Sequence, residues 1–243
     1  MCTLILAHHV FDEAPVFLAS NRDESLDRPA SGPRVWERFG TRFVAPRDEQ
    51  EGGTWLGINE WGVLAAITNR FGNPRDGSRR SRGRLVLEAL GERYAKVAAD
   101  GISAMDASHY NPFHLLIVDQ GSAHVVWSDG TQMHDEDLDG GVHVITERSY
   151  LAAANGRADF LEARIDELQR TGELAPAALR ALLTIRRVDD IDATCVLVPE
   201  LRYGTRSSTV VALGSEPRLD FSDGAPCETE YRDYTSVLTD VLR

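Results

Sequence analysis

The sequence predicts an α+β domain built mainly on antiparallel strands, and three observations carry that expectation. Short β-prone runs come in pairs around tight polar turns, as at 2–10 with 16–23, 55–58 with 62–68, and 113–119 with 123–128. Helical spacing of apolar residues is confined to about 84–99, 157–170 and 176–187. No repeat or linker interrupts the 243 residues, so the chain reads as one domain, 1–243, long enough to bury its own core.

The elements follow in order. CTLILAHHV and VFLASNRD flank Phe11-Asp12-Glu13-Ala14-Pro15 and read as a hairpin. With the turn centred near Glu13, residues whose numbers sum to 25 or 26 face each other. Cys2 then falls opposite Asp23 or Glu24, with Arg22 alongside, about 5 Å across the pair. Residues 25–53, rich in Pro, Gly and Arg, read as a surface excursion. A second hairpin runs from Trp55 to Thr68 and ends at Asn69. Residues 70–84 form a loop with six arginines, among them Arg82. Val86, Ala89, Leu90, Tyr94 and Val97 then recur at helical spacing to about 99. Strands at 113–119 and 123–128 precede an acidic turn at 134–141 and a strand at 141–146. Helices follow with Phe160, Leu161, Ile165 and Leu168 on one face, then Leu179, Leu182 and Leu183. Strands at 193–198, 207–213 and 227–236 close the chain.

The net charge is -12, and Lys96 is the one lysine among 26 basic residues. An acidic, lysine-poor surface suits a halophilic, salt-adapted cytoplasm, although a GC-rich genome also replaces Lys by Arg. The charge argues against nucleic acid and anionic membrane surfaces as partners. Three irregularly spaced cysteines argue against a disulfide framework and for a reducing, cytoplasmic compartment. No apolar run is long enough to span a bilayer, and no signal peptide is evident.

The candidate chemistry starts at Cys2. If Met1 is removed, Cys2 carries a thiol and a free α-amine on one residue, a nucleophile with its own base. A nearby arginine lowers a thiol pKa toward the reactive range. In Asn21-Arg22-Asp23-Glu24 the pleat sets Asn21 and Asp23 on one side, Arg22 and Glu24 on the other. Asn69, at a strand end, can donate its amide to an oxyanion. The arginine loop suits a clamp for a carboxylate or phosphate. Arg206 precedes a strand and can reach the same pocket as Cys2. His8 and His9, adjacent on a strand, point to opposite faces and cannot chelate one ion; contact of either with haem is the one ligand role kept for the histidines.

The segments MCTLILA, ASNRDESLDRP, GGTWLGINEWGVLAAITN, SRGRLV and YGTRSSTVV resemble the NRDE family, the transport-and-Golgi-organisation protein 2 family. The resemblance implies a four-layer αββα sandwich of two mainly antiparallel sheets, like that of N-terminal-nucleophile hydrolases. It extends distantly to the bile-salt and penicillin V amidases. By that likeness Cys2, Asp23, Asn69 and Arg206 are the implied catalytic set. Asn21, Arg22, Thr54, Trp55, Arg82 and Glu147 are the expected substrate contacts. Two departures stand out. Ala19 occupies the place of an arginine in the amidases, and Glu147 that of the Asn in a Ser-Asn or Thr-Asn pair. An acceptor at 147 leaves half of the oxyanion hole unprovided. The expected activity is hydrolysis of an amide or related acyl bond in a small substrate, with no metal and no cofactor. The alternative is a non-catalytic carrier of a small ligand, either anionic (carboxylate or phosphate) or haem, in haem trafficking or lipid metabolism.

Overall fold

The structure is a computed structural model, which describes residues 2–38, 40–72, 75–150, 152–186 and 193–243. Met1, residues 73–74 of the arginine loop and residue 187 at the expected helix end lie outside the described residues. In chain order the elements are β1 (Cys2–Phe11), β2 (Ala14–Ser25), β3 (Ala30–Arg38), β4 (Thr41–Asp48), β5 (Leu56–Asn59), β6 (Leu64–Asn69), α1 (Gly83–Ala89) and α2 (Ala95–Ser103). There follow β7 (Phe113–Val118), β8 (Ala123–Ser128), β9 (Met133–Leu138), β10 (Gly141–Thr146), α3 (Gly156–Thr171) and α4 (Pro176–Leu182). The last are β11 (Leu197–Val198), β12 (Tyr203–Leu213), β13 (Arg218–Ser222), β14 (Arg232–Asp233) and α5 (Thr235–Thr239).

These elements gather into two compact units, each assembled from separate stretches of chain. The first comprises residues 1–28 and 140–234, the second 29–139 and 235–243. Every named strand pairing is antiparallel. The α+β class expected from the sequence is the one found.

The first unit is a sheet in the order β10-β1-β2-β12-β13-β14, with β11 added on β12. Odd-numbered positions of β1 and β2 face the helices. Ile5, Ala7, Phe17 and Ala19 pack with Leu161 and Ile165 of α3 and with Leu179 and Leu182 of α4. Each large side chain buried there stabilises by about 1.5–3 kcal/mol. Helix α3 starts where the Asn155 side chain accepts from the Ala158 N–H, and stops at Gly172, whose φ of 72° suits a left-handed cap.

The second unit is a sequential meander, β3 through β9, with α1 and α2 against it. Helical spacing from 84 to 99 suggested one helix; the chain instead breaks at Leu90–Tyr94, where Gly91 interrupts. The GGTW turn and the SRGRL segment meet here. A Cβ on Gly53 would stand 3.0 Å from the Gly83 carbonyl carbon, and one on Gly83 only 2.8 Å from the Thr54 oxygen. Both glycines are required by close backbone packing.

Several expectations are corrected. Residues 25–53 are not an excursion: they hold the β3–β4 hairpin. The acidic stretch near 134–141 is mostly β9, an exposed edge strand paired to β8. The expected strand at 227–236 shrinks to Arg232–Asp233, followed by α5. Cys195 and Cys227 form a disulfide across 32 positions, with Cα atoms 6.3 Å apart. Their sequence spacing does not reveal it, because β12 and β13 bring the two segments together. Finally, His8 and His9 do not oppose each other. His9 takes a φ of 53° at a bulge, which breaks the alternation, and the two rings lie 4.1 Å apart.

Candidate functional site

The bulge at His9 fixes what stands beside Cys2. Next to the turn, Phe11 pairs with Ala14; beyond the bulge, His8 pairs with Val16 and the register continues to Cys2 with Arg22. One inserted residue in β1 has moved the pairing by one. Cys2 therefore faces Arg22 rather than Asp23 or Glu24. Arg22 lies between Cys2 on one side and Ser207 of β12 on the other. On the far side of β1 the last pair is Thr3 with Thr146, which leaves Glu147 as the next residue along.

Cys2 is 9% exposed and is the free cysteine among the described residues. The Asp23 backbone N–H donates to its sulfur. The Asp23 carboxylate is wholly buried. Its Oδ1 accepts from Thr205 Oγ1 at 2.7 Å and its Oδ2 from Arg157 Nη1 at 2.9 Å. The same Arg157 nitrogen donates to Thr3 Oγ1 at 3.1 Å. Tyr203 donates its hydroxyl to the Asp23 carbonyl at 3.3 Å. Burial pushes the Cys2 thiol above its usual range; the Asp23 carboxylate adds to this and Arg22 opposes it. Burial likewise raises the Asp23 carboxyl, with Arg157 pulling it back. Burial works against the charge of Arg157, but Asp23 and Glu147 hold it firmly protonated. Desolvation and the same carboxylates push the Tyr203 phenol far up.

The other expected residues divide by unit. Asn21 lies in the first, but its amide is turned to the helix side, donating to the Leu183 and Thr194 carbonyls at 2.9 and 2.7 Å. It ties α4 to the sheet. Arg206 is the extra residue of the β12 bulge between Thr205 and Ser207, and its guanidinium goes to Asp223 at 2.5 Å. The cation that holds Asp23 is Arg157, which the sequence reading missed. Its signal was present: 157, 161 and 165 share a helical stripe, and the other two are Leu and Ile. A cation in a helix's first turn runs against the helix dipole, so it needs a partner elsewhere. Glu147 is 6% exposed; its Oε1 is 3.6 Å from Arg148 Nε. Glu147 Oε2 and Ser207 Oγ are buried with no hydrogen-bond partner among the described residues.

Asn69, Thr54, Trp55 and Arg82 belong to the second unit. Asn69 is exposed at the end of β6, paired with Phe113. Thr54 closes its own turn by donating to the Leu56 carbonyl at 2.8 Å. Trp55 packs against that unit's core. Arg82 donates to the Pro112 carbonyl at 2.8 Å, and Arg79 to the Tyr110 and Gly130 carbonyls at 2.7 and 3.1 Å. Two of the six loop arginines, Arg79 and Arg82, thus staple backbone oxygens, while Arg75 faces Glu51 at 3.5 Å and Arg70 lies over the Trp127 ring. No helix among the described residues is long and apolar enough to cross a membrane.

The α+β chain of two antiparallel sheets has an N-terminal-nucleophile-hydrolase-like fold, as its likeness to solved structures shows. A Caenorhabditis elegans N-acylethanolamine-hydrolyzing acid amidase ortholog superposes with a TM-score of 0.61 at 13% identity, covering 87% of this chain and 92% of that one. The C2A mutant of conjugated bile acid hydrolase from Clostridium perfringens gives 0.52 at 13% identity, over 97% and 93%. Penicillin V acylase from Agrobacterium tumefaciens gives 0.51 at 16%, over 97% and 86%. The chain belongs to the Transport and Golgi organisation 2 family, whose model matches residues 1–225. Relatives include the Transport and Golgi organization protein 2 homologs of Bos taurus, 27% identical over 253 residues, and Homo sapiens, 26% over 249. Each match covers 88% of this chain and 90% of the relative.

Proposed function

We propose that this protein hydrolyses an amide or related acyl bond of a small substrate through Cys2. The observation that carries the reading is the position of Cys2: a buried free thiol opposite Arg22, accepting the Asp23 N–H, at the start of a central strand. The fold is shared with proteins named as amidases and acylases. Once Met1 is removed, the α-amine takes the thiol proton. The thiolate adds to the substrate carbonyl and the leaving amine departs with that proton. Water then cleaves the acyl-thioester and restores the thiol. Asp23, held by Arg157 and Thr205, orients the strand end beside the amine and sulfur.

A second reading, a carrier of haem or a lipid without chemistry, is favoured by one fact. Burial raises the thiol pKa, and a protonated thiol is a weak nucleophile.

Intact-mass measurement and a panel of N-acyl amides separate the two. Loss of one methionine, with turnover abolished in Cys2→Ala, supports hydrolysis. Retained methionine, or equal turnover in Cys2→Ala, refutes it. A saturable haem absorbance shift at micromolar protein would favour the carrier.

A further inference from the structure

Both chain neighbours of Cys195 are bonded to strands that build the Cys2 site. The Thr194 carbonyl accepts from the Asn21 amide at 2.7 Å, two residues before Asp23. The Val196 N–H donates to Thr205 Oγ1 at 2.9 Å. Between them, Cys195 is joined to Cys227, which lies beyond β13. The disulfide therefore fixes the centre of a short strap, residues 193–198, bonded to the ends of β2 and β12.

Thr205 is where the strap reaches the site. It is buried, and its N–H donates back to the Val196 carbonyl at 2.7 Å. A hydroxyl has one hydrogen and two lone pairs. The Val196 N–H occupies a lone pair, so the hydrogen is left for Asp23 Oδ1, 2.7 Å away. The Asp23 N–H in turn donates to the Cys2 sulfur. An unbroken series of covalent and hydrogen bonds thus runs from Cys195 through Val196, Thr205 and Asp23 to Cys2. Linked hydrogen bonds polarise one another, so loss at one end weakens the other. The fit is close: a Cβ on Gly204 would stand 2.6 Å from the Val196 oxygen. Cys195 is fully buried and Cys227 half-buried, so an incoming thiolate reaches Cys227 first.

We propose that the Cys195–Cys227 disulfide is a redox control on the Cys2 site, acting through Val196 and Thr205. It rests on the reading of Cys2 as the working residue. The reductant is a dithiol. One of its thiolates attacks Cys227 Sγ, and Cys195 leaves and takes up a proton. The second thiol then displaces Cys227, so the protein gains two thiols and the reductant ends as its own disulfide. The strap loses its covalent tether, the Val196–Thr205 bond opens more often, and the strand end around Cys2 loosens. Burial is the largest cause of the raised thiol pKa, so loosening brings the thiol back toward its ordinary range.

Iodoacetamide labelling of Cys2, read by peptide mass on the full chain, tests this. The double variant Cys195→Ala, Cys227→Ala mimics the reduced form and leaves Cys2 as the one cysteine. At about pH 8 it should label about threefold or more faster than oxidised wild type, with a lower pH midpoint. Thr205→Val removes the hydroxyl and keeps the shape. In that background the same two forms should differ by less than about 1.5-fold, and Thr205→Ser should restore the difference. Hydrogen exchange should rise in the opened form over residues 193–206 and stay unchanged over 113–128. Should the double variant prove unfolded by circular dichroism, wild type reduced with a phosphine takes its place. Equal labelling of oxidised and opened forms overturns the control, as does unfolding of both opened forms. The same ratio retained in Thr205→Val overturns the route and leaves the disulfide a staple. Labelling needs no turnover, so disulfide-dependent labelling without hydrolysis of any N-acyl amide sinks the hydrolase reading alone.

Discussion

Arg157→Met should be among the most destabilising single changes in the first unit. The Arg157 side chain is 2% exposed and that of Asp23 0%. Methionine keeps much of the volume but removes the bonds to Asp23 and Thr3. Asp23 then keeps the bond from the Thr205 hydroxyl but loses the arginine that faces it in the buried interior. Removing one partner of such a pair costs about 3–5 kcal/mol. For a chain of this size that is a fall in Tm of roughly 6–20 °C, or about 1–2 M in urea midpoint. The double variant Asp23→Asn, Arg157→Met should recover much of the loss, since a neutral amide is cheaper to bury than a lone carboxylate. The assay is urea and thermal unfolding of all four proteins, read as a double-mutant cycle. A cost below about 1 kcal/mol for Arg157→Met, or a double variant no better than the single, would refute the argument that Arg157 exists to neutralise Asp23.

Other outcomes follow from the same structure. Iodoacetamide should alkylate Cys2 with a pH midpoint above that of a free thiol, and Arg22→Gln should move it higher still; a midpoint at or below free cysteine contradicts burial as the ruling effect. Cys195→Ser opens a loop spanning 32 positions and should cost about 3–4 kcal/mol, measured against wild type with and without dithiothreitol; no difference would remove the disulfide's role. Asp129, capped by the Thr131 hydroxyl and by the Thr131 and Gln132 N–H groups, has its carboxyl lowered to about 2. Its stabilisation is therefore present above about pH 4 and lost as pH falls toward 2. The stability gap between wild type and Asp129→Asn should close over that window; a gap independent of pH argues against it. If the acidic surface reflects salt adaptation, raising KCl from about 0.1 to 2 M should raise Tm by screening self-repulsion, and an unchanged Tm refutes that origin.

Strong period-2 runs between clear turns were legible from sequence, so β1, β2, β6, β7, β8 and β10 appear where the patterning put them. Edge elements were not. β3 and β9 have one face or both in solvent, and their charged residues and Pro33 resemble loop composition. The address of the candidate site was legible to the extent that Cys2 and Asp23 share one local hairpin. Its detailed chemistry was not, since that depends on a bulge whose trace in sequence is only His9, and on Arg157, which arrives from 134 residues away. Arg206 misled for the same reason: a second bulge, between Thr205 and Ser207, takes it out of the strand alternation.

The bulge in β1 means that the identity of the residue beside the thiol is written in backbone shape as much as in side chains. Were His9 drawn into a regular ladder with no bulge, continuing the Phe11–Ala14 pairing, the first strand would slide by one step and seat Cys2 against Asp23 where Arg22 now stands. A change of backbone shape at one residue, seven positions from the thiol, would thereby exchange a cation for a carboxylate opposite it without altering either side chain.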